Sequence, residues 1–293
     1  MSAGLSVKRI ARLFIALAVL LLVVAVGSGV WLVLDARRTR AGDPEYVALG
    51  SSYAAGAGLG KRHTGSPILC SRSGKGYPQL LARKLDMSIV DMTCSGSVTK
   101  HVTAGGQFFQ DAQIRTLSRR TQLVTITVGG NDVGFVRDLY LFAARNSGLT
   151  LGWIVGKFWN GPPPLAQRGL PELNRALVTL LDAVKARSPE ATVVVATYPT
   201  VLPRTGTCPA LGLTAGQVQE MRSVEVQLAA TTRSAARSRG ALLVDMNKLG
   251  ATHDACSTIP WTKGWGGLAQ SPFHPNVEGA RATAEAIFEA LRQ

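Results

Sequence analysis

The sequence predicts an α/β chain: a three-layer α/β/α sandwich around a central five-stranded parallel sheet, preceded by one N-terminal transmembrane helix. Three observations predict it. Five short apolar runs alternate with stretches of helical periodicity across residues 46–291. The runs are uninterrupted rather than alternating, as in strands buried on both faces. A 22-residue segment without a charge, Leu13 to Leu34, stands ahead of them.

That first segment, LFIALAVLLLVVAVGSGVWLVL, passes the roughly 20 residues that a spanning helix needs. Lys8, Arg9 and Arg12 precede it and Asp35, Arg37, Arg38 and Arg40 follow, so flanking charge alone does not orient it. A cleaved signal peptide is the competing reading. Its apolar region would span only about 7–15 residues, and Thr39-Arg40-Ala41 is a poor small-residue cleavage pattern. The chain is therefore read as a signal anchor over 1–35, a polar tether over 36–45 and a folded domain over 46–293.

In the domain, YVALG (46–50) is an apolar run ending in Gly and predicts the first strand. Tyr77 to Leu85 predicts a helix, with Leu80, Leu81 and Leu85 apolar, and MSIVDM (87–92) the second strand. LVTITV (123–128), rich in β-branched residues, is the third. Pro171 to Ala186 places Leu173, Leu177, Leu180, Leu181 and Val184 at helical spacing. ATVVVATY (191–198) is the fourth strand. Thr214 with Gln217 forms a capping box that opens a helix reaching about Ser238. ALLVDM (241–246) is the fifth strand and Val277 to Leu291 the closing helix. The stretch 136–169, containing LGWIVGKFWNGPPP, reads as loop-like: either a lid or membrane-facing flap, or helical cover over the core. Trp153, Trp159, Trp261 and Trp265 fall in loop-like stretches and serve either a greasy or glycan substrate or the core.

Composition narrows the class. The formal net charge is +14 and only 17% of the 293 residues are charged, which excludes wholesale disorder. The basic excess fits an anionic lipid or wall surface. Lys and Arg are scattered, with no aromatic-basic motif, so nucleic acid is not expected as a partner. Four cysteines (70, 94, 208, 256) form no CxxC pair, and His63, His101, His253 and His274 do not fall at zinc spacings; no metal site is expected. An even cysteine count behind an export segment suggests disulfides and an oxidising compartment, with sequence-neighbour pairing one of three connectivities.

In a parallel sheet the chemistry lies at the carboxyl ends of the strands. The first strand runs into Gly50-Ser51-Ser52-Tyr53, a strand-to-helix turn of the kind that presents a serine Oγ to a pocket. The second is followed by Cys94-Ser95-Gly96-Ser97, where Gly96 can offer a backbone N–H; the third by Gly129-Gly130-Asn131-Asp132, where Asn131 can donate from its amide. Ser271-Pro272-Phe273-His274-Pro275-Asn276 precedes the last helix. Taken singly, ordinary turn chemistry explains each of these motifs.

Together, and in this order, they resemble the SGNH hydrolases, also called GDSL esterases and lipases, over Tyr46 to about Leu291. LVTITVGGNDVGF (123–135) carries the resemblance furthest, with YVALGSSYAAGAG (46–58), the CSGS segment and FHPNVEG (273–279). The resemblance implies a flavodoxin-like sheet and a serine esterase or lipase that acts on a lipid or acylated-carbohydrate ester and requires no cofactor. It makes Ser52 the nucleophile and His274 the general base. Ser52 N–H, Gly96 N–H and the Asn131 side chain become the oxyanion hole. The cysteine spacing is similar to that of the secreted, disulfide-containing bacterial branch, which implies Cys70–Cys94 and Cys208–Cys256 bridges, an extracytoplasmic domain and a monomer.

Two positions depart from the family pattern. Ser51 stands where Gly-Asp-Ser has its Asp, and Ser271 stands where the triad acid usually lies, three residues before the histidine. The main-chain carbonyl of Ser271 is expected to orient the imidazole instead, with Asp254 as the alternative. Transfer of an acyl group to a surface glycan, or ligand binding without catalysis, would use the same fold.

Overall fold

Strand residues with side chains alternating between two apolar layers demand helices on both sides of the sheet, and the computed structural model supplies them. It describes residues 7–37, 43–148 and 150–293. The strands are β1 (Tyr46–Gly50), β2 (Ile89–Asp91), β3 (Leu123–Thr127), β4 (Thr192–Ala196) and β5 (Leu242–Val244). All neighbours pair in parallel, in the order β2-β1-β3-β4-β5. Within β1, Val47 and Leu49 enter one core cluster while Tyr46 and Ala48 enter the other.

The helices are α1 (Val7–Ala36), α2 (Ser52–Ala55), α3 (Tyr77–Leu85), α4 (Thr99–Ala104), α5 (Phe135–Asn146), α6 (Thr150–Phe158), α7 (Leu170–Arg187), α8 (Ala215–Ser238), α9 (Met246–Leu249) and α10 (Val277–Ala290). Helices α4, α5, α7 and α8 cover the Val47/Leu49 face, and α3 and α10 the other. Thr214 caps α8 by accepting from Gln217 N at 3.3 Å, and the Gln217 side chain accepts from Thr214 N at 2.9 Å, the reciprocal pair its sequence spacing predicts.

The loop-like reading of 136–169 gives way to structure. Val136, Leu139, Phe142 and Ala143 form a buried stripe on α5, which rests on the core. This part of the stretch is helical cover. On α6, Trp153 and Phe158 remain 66% and 74% exposed. Strand β2 is shorter than 87–92: Ile89–Asp91 pair in register with β1, while Ser88 and Met92 contribute single flanking bonds to Tyr46 and Ala48. Helix α1 runs through Ala36, into the proposed tether; residues 38–42 lie outside the described residues. Arg9–Ala36 is long and apolar enough to cross a membrane.

After β1 the chain crosses to β2 on one side and then returns to β3 on the other. The carboxyl ends of β1 and β3 therefore flank the point where strand order reverses, where such sheets open a crevice. Both disulfides form, Cys70–Cys94 and Cys208–Cys256. The first joins the loop after β2 to a 3-10 turn at Ile68–Cys70, beside that crevice.

Candidate active site

At the end of β1 the chain must turn sharply while lying against β3. Gly50 has φ +141, and a Cβ there would fall 2.2 Å from the Thr127 carbonyl oxygen, so only glycine fits. Ser51 then donates its N–H to Thr127 O at 3.0 Å, and Ser52 opens α2. The Ser52 hydroxyl lies 2.8 Å from His274 Nε2. Both residues are buried, at 7% and 6% exposure.

His274 is positioned by backbone, though not by the expected atom. Its Nδ1 donates to the Pro272 carbonyl at 2.8 Å, not to that of Ser271. Ser271 and Phe273 both adopt left-handed backbone (φ +49 and +59), and the tight turn between them brings the Pro272 carbonyl under the ring. Asp254 is not the substitute either: its Oδ1 accepts from Cys256 N at 2.8 Å, in a separate loop. The turn is fastened on both sides. Tyr53 Oη donates to Phe273 O, Phe273 N to Lys263 O at 3.0 Å, and Lys263 N to His274 O at 2.9 Å. Burial lowers the His274 pKa to about 4; the nearby Lys263 ammonium lowers it too, against the opposing hydrogen bond to Pro272.

The loops after β2 and β3 complete the wall. Gly96 (φ +81), Asn131, Ser52 and His274 line one cavity of about 320 Å³, which Tyr140 and Ser271 also border. Asn131 Nδ2 donates to Ser97 O at 2.9 Å, tying the two loops together. Asp132 accepts from Thr99 N and Oγ1 at 3.0 and 2.6 Å, so it anchors the start of α4 rather than facing the cavity.

Several residues that hold this geometry have no motif in the sequence. Gln113 bonds both backbone atoms of Gly50 and also donates to Ser97 Oγ at 3.0 Å. Gln107 donates to Ser95 O at 2.8 Å and accepts from Ser97 Oγ at 2.5 Å. Tyr198 Oη sits 2.8 Å from Ser51 Oγ and accepts from Gly130 N at 3.2 Å, bridging the loops after β1 and β3. Ser51, in the family's Asp place, is thus a link in that bridge. Of the tryptophans, Trp265 meets Tyr140 edge-on, Trp159 meets Phe142, and Trp261 stacks on His253, so these three pack against other aromatic rings.

Comparison with known proteins agrees with the fold. The model of the GDSL-like Lipase/Acylhydrolase family matches residues 48–282. The chain is 33% identical over 262 residues to Lipase 2 of Streptomyces coelicolor, covering 84% of this chain and 85% of that one. Among solved structures it resembles the extracellular lipase of Streptomyces rimosus, with a TM-score of 0.68 and 28% identity, over 84% of this chain and 98% of that one. It also resembles phospholipase A1 of Streptomyces albidoflavus, with a TM-score of 0.67 and 28% identity, over 85% of this chain and all of that one. The chain belongs to the GDSL-like lipase and acylhydrolase family and is a carboxylic ester hydrolase.

Proposed function

We propose that this chain hydrolyses the acyl ester of a lipid through a Ser52–His274 acyl-enzyme mechanism, on a domain held outside the cytoplasm by its N-terminal helix. One observation carries the reading: the 2.8 Å contact between Ser52 Oγ and His274 Nε2, inside the cavity that Gly96 and Asn131 line.

At neutral pH the imidazole is uncharged, since its pKa lies near 4, so Nε2 can accept the hydroxyl proton as Oγ attacks the ester carbonyl. The Pro272 carbonyl fixes the tautomer with the proton on Nδ1. The oxyanion that forms is met by the N–H groups of Ser52 and Gly96 and by Asn131. An amide nitrogen carries two hydrogens, and Asn131 commits one to Ser97, leaving the second for the oxyanion. His274 then returns the proton to the leaving alcohol, and water, activated the same way, releases the acid. A main-chain carbonyl carries no full charge, so it stabilises the imidazolium less than a carboxylate does.

The similar proteins are named lipases and, in one case, a phospholipase A1, which favours a lipid ester over an acylated carbohydrate. Two disulfides favour an oxidising compartment. Residues 1–35 serve as anchor, 36–45 as tether and 46–293 as catalytic domain.

The test is hydrolysis of p-nitrophenyl esters from acetyl to palmitoyl by the full chain in detergent, beside Ser52→Ala and His274→Ala. Each substitution is expected to abolish turnover, and the acyl-length optimum separates an esterase from a lipase. Activity surviving Ser52→Ala would overturn the assignment.

A further inference from the structure

The anchor helix does not leave the domain freely. Its last turn packs against the 3-10 turn Ile68–Cys70 and a second one, Gln107–Phe109. Asp35, 4% exposed, accepts from Ile68 N at 2.8 Å, and Arg37 Nε donates to Phe109 O at 3.4 Å. The apolar part of α1 ends at Leu34, so whatever packs on residues 35–37 stands at the depth where hydrocarbon gives way to headgroups.

What stands there is apolar and exposed. Ile68 and Leu69 are each 43% exposed, Phe108 41% and Phe109 63%. The two phenylalanines take left-handed backbone, with φ +48 and +63. L-residues with a Cβ adopt this region at a cost. The core gains nothing from it, because neither ring is buried.

The same two turns carry the site. Ser71, directly after Cys70, lines the cavity of Ser52 and His274. Gln107, directly before Phe108, holds the Ser95 and Ser97 positions on either side of Gly96. Consecutive Cα atoms are about 3.8 Å apart, so the apolar residues adjoin the cavity mouth along the chain.

We infer that Ile68, Leu69, Phe108 and Phe109 form a membrane-seating surface, continuous with the end of α1, that rests the mouth of the Ser52 cavity on the bilayer that α1 enters. Rings at this depth immerse in the boundary between headgroups and acyl chains, and Arg37 meets anionic headgroups. Lipid esters then reach Ser52 from the adjoining leaflet without crossing water. The inference rests on the proposed anchor and Ser–His mechanism, and it adds where the substrate comes from.

The experiment uses the full chain reconstituted into vesicles of phosphatidylglycerol and phosphatidylcholine. Two rates are followed: fatty-acid release from the vesicle lipid, and hydrolysis of soluble p-nitrophenyl acetate. The variants are Phe108→Asn/Phe109→Asn and Leu69→Asn; Asn tolerates left-handed backbone, so the first keeps the turn. Vesicle lipid release is expected to fall about tenfold in the double variant, as loss of two half-immersed rings implies, with acetate hydrolysis held within about twofold. In a Trp31→Phe background, which removes the native tryptophan of α1, a Phe109→Trp variant is expected to gain emission that lipids brominated high on the acyl chain quench. Equal loss on both substrates, or no loss on either, would overturn the seating. Unquenched emission from Phe109→Trp, with the chain dimeric in detergent, would assign the patch to a second copy instead. Failure of acetate hydrolysis in the wild type would sink the esterase mechanism, and the quenching experiment would still decide the seating.

Discussion

Gln113 holds Gly50 by both backbone atoms. Its Oε1 accepts from Gly50 N at 2.7 Å and its Nε2 donates to Gly50 O at 3.0 Å. The reason lies in the sheet. β2 pairs with β1 only as far as Ala48 opposite Asp91; past it Cys94 N still donates to Gly50 O at 3.0 Å, but among the described residues Gly50 N meets no main-chain acceptor on that side. A side-chain amide, carrying one donor and one acceptor in a plane, supplies the missing acceptor for that N–H and a second donor to the carbonyl. Through Ser97 Oγ it also reaches the loop of Gly96.

Gln113→Leu should therefore leave a buried N–H unpaired directly before the turn that carries Ser52. The expected cost is about 1–3 kcal/mol of stability. A fall of about tenfold in kcat should accompany it, with KM little changed, because the proposed oxyanion donors shift by tenths of an ångström. Denaturant melts and steady-state kinetics on one soluble ester check both. A stable variant with full kcat would show that the turn needs no brace.

The pH profile follows from His274. Burial, with Lys263 assisting, holds its pKa near 4 against 6.5 in the unfolded chain. Between those values the unfolded state binds more protons, so stability rises with pH from about 4 to 6.5 and is lost as pH falls. The acid limb of kcat/KM should stand near pH 4 rather than 6.5. Lys263→Met removes the nearby positive charge and should move that limb upward. A limb that stays put would mean that burial alone sets the value.

Tyr198→Phe removes one oxygen from the bridge that joins Ser51 to Gly130. Gly130 N is buried and loses its acceptor, so a loss of about 1–3 kcal/mol is expected. Ser51→Ala should cost less, since it leaves the Gly130 bond in place. The order of the two melting temperatures is the check.

How much of this was legible in the sequence follows from the topology. In a parallel sheet every strand delivers its following loop to one edge, so Ser52, Gly96 and Asn131 converge once three strand ends are located. The cap of α8 was legible because Thr214 and Gln217 interact within one turn. The brace from Gln113 was not: a glutamine 63 residues from Gly50 has no local signature. Nor was the choice between Ser271 and Pro272, because it depends on the backbone angle of Phe273, a residue type that rarely turns left-handed. The buried stripe on α5 has ordinary helical spacing, but the Gly and Pro residues around 160–164 mask it.

Ser271→Asp restores the family's usual residue at the place of the triad acid, and the geometry says it should gain little. Position 271 already has left-handed backbone, which Asp accepts readily, so the variant should fold. Yet Nδ1 of His274 has one proton, and the Pro272 carbonyl holds it at 2.8 Å. A new carboxylate must displace that carbonyl by reshaping a turn fastened by Tyr53 and Lys263. Without displacement it acts only through space, raising the imidazole pKa and moving the acid limb of kcat/KM upward. The expected outcome is kcat within about twofold of the wild type, alongside that upward shift. A tenfold gain in kcat would instead show that the carboxylate had taken the Nδ1 proton, and that the backbone carbonyl had been limiting the rate.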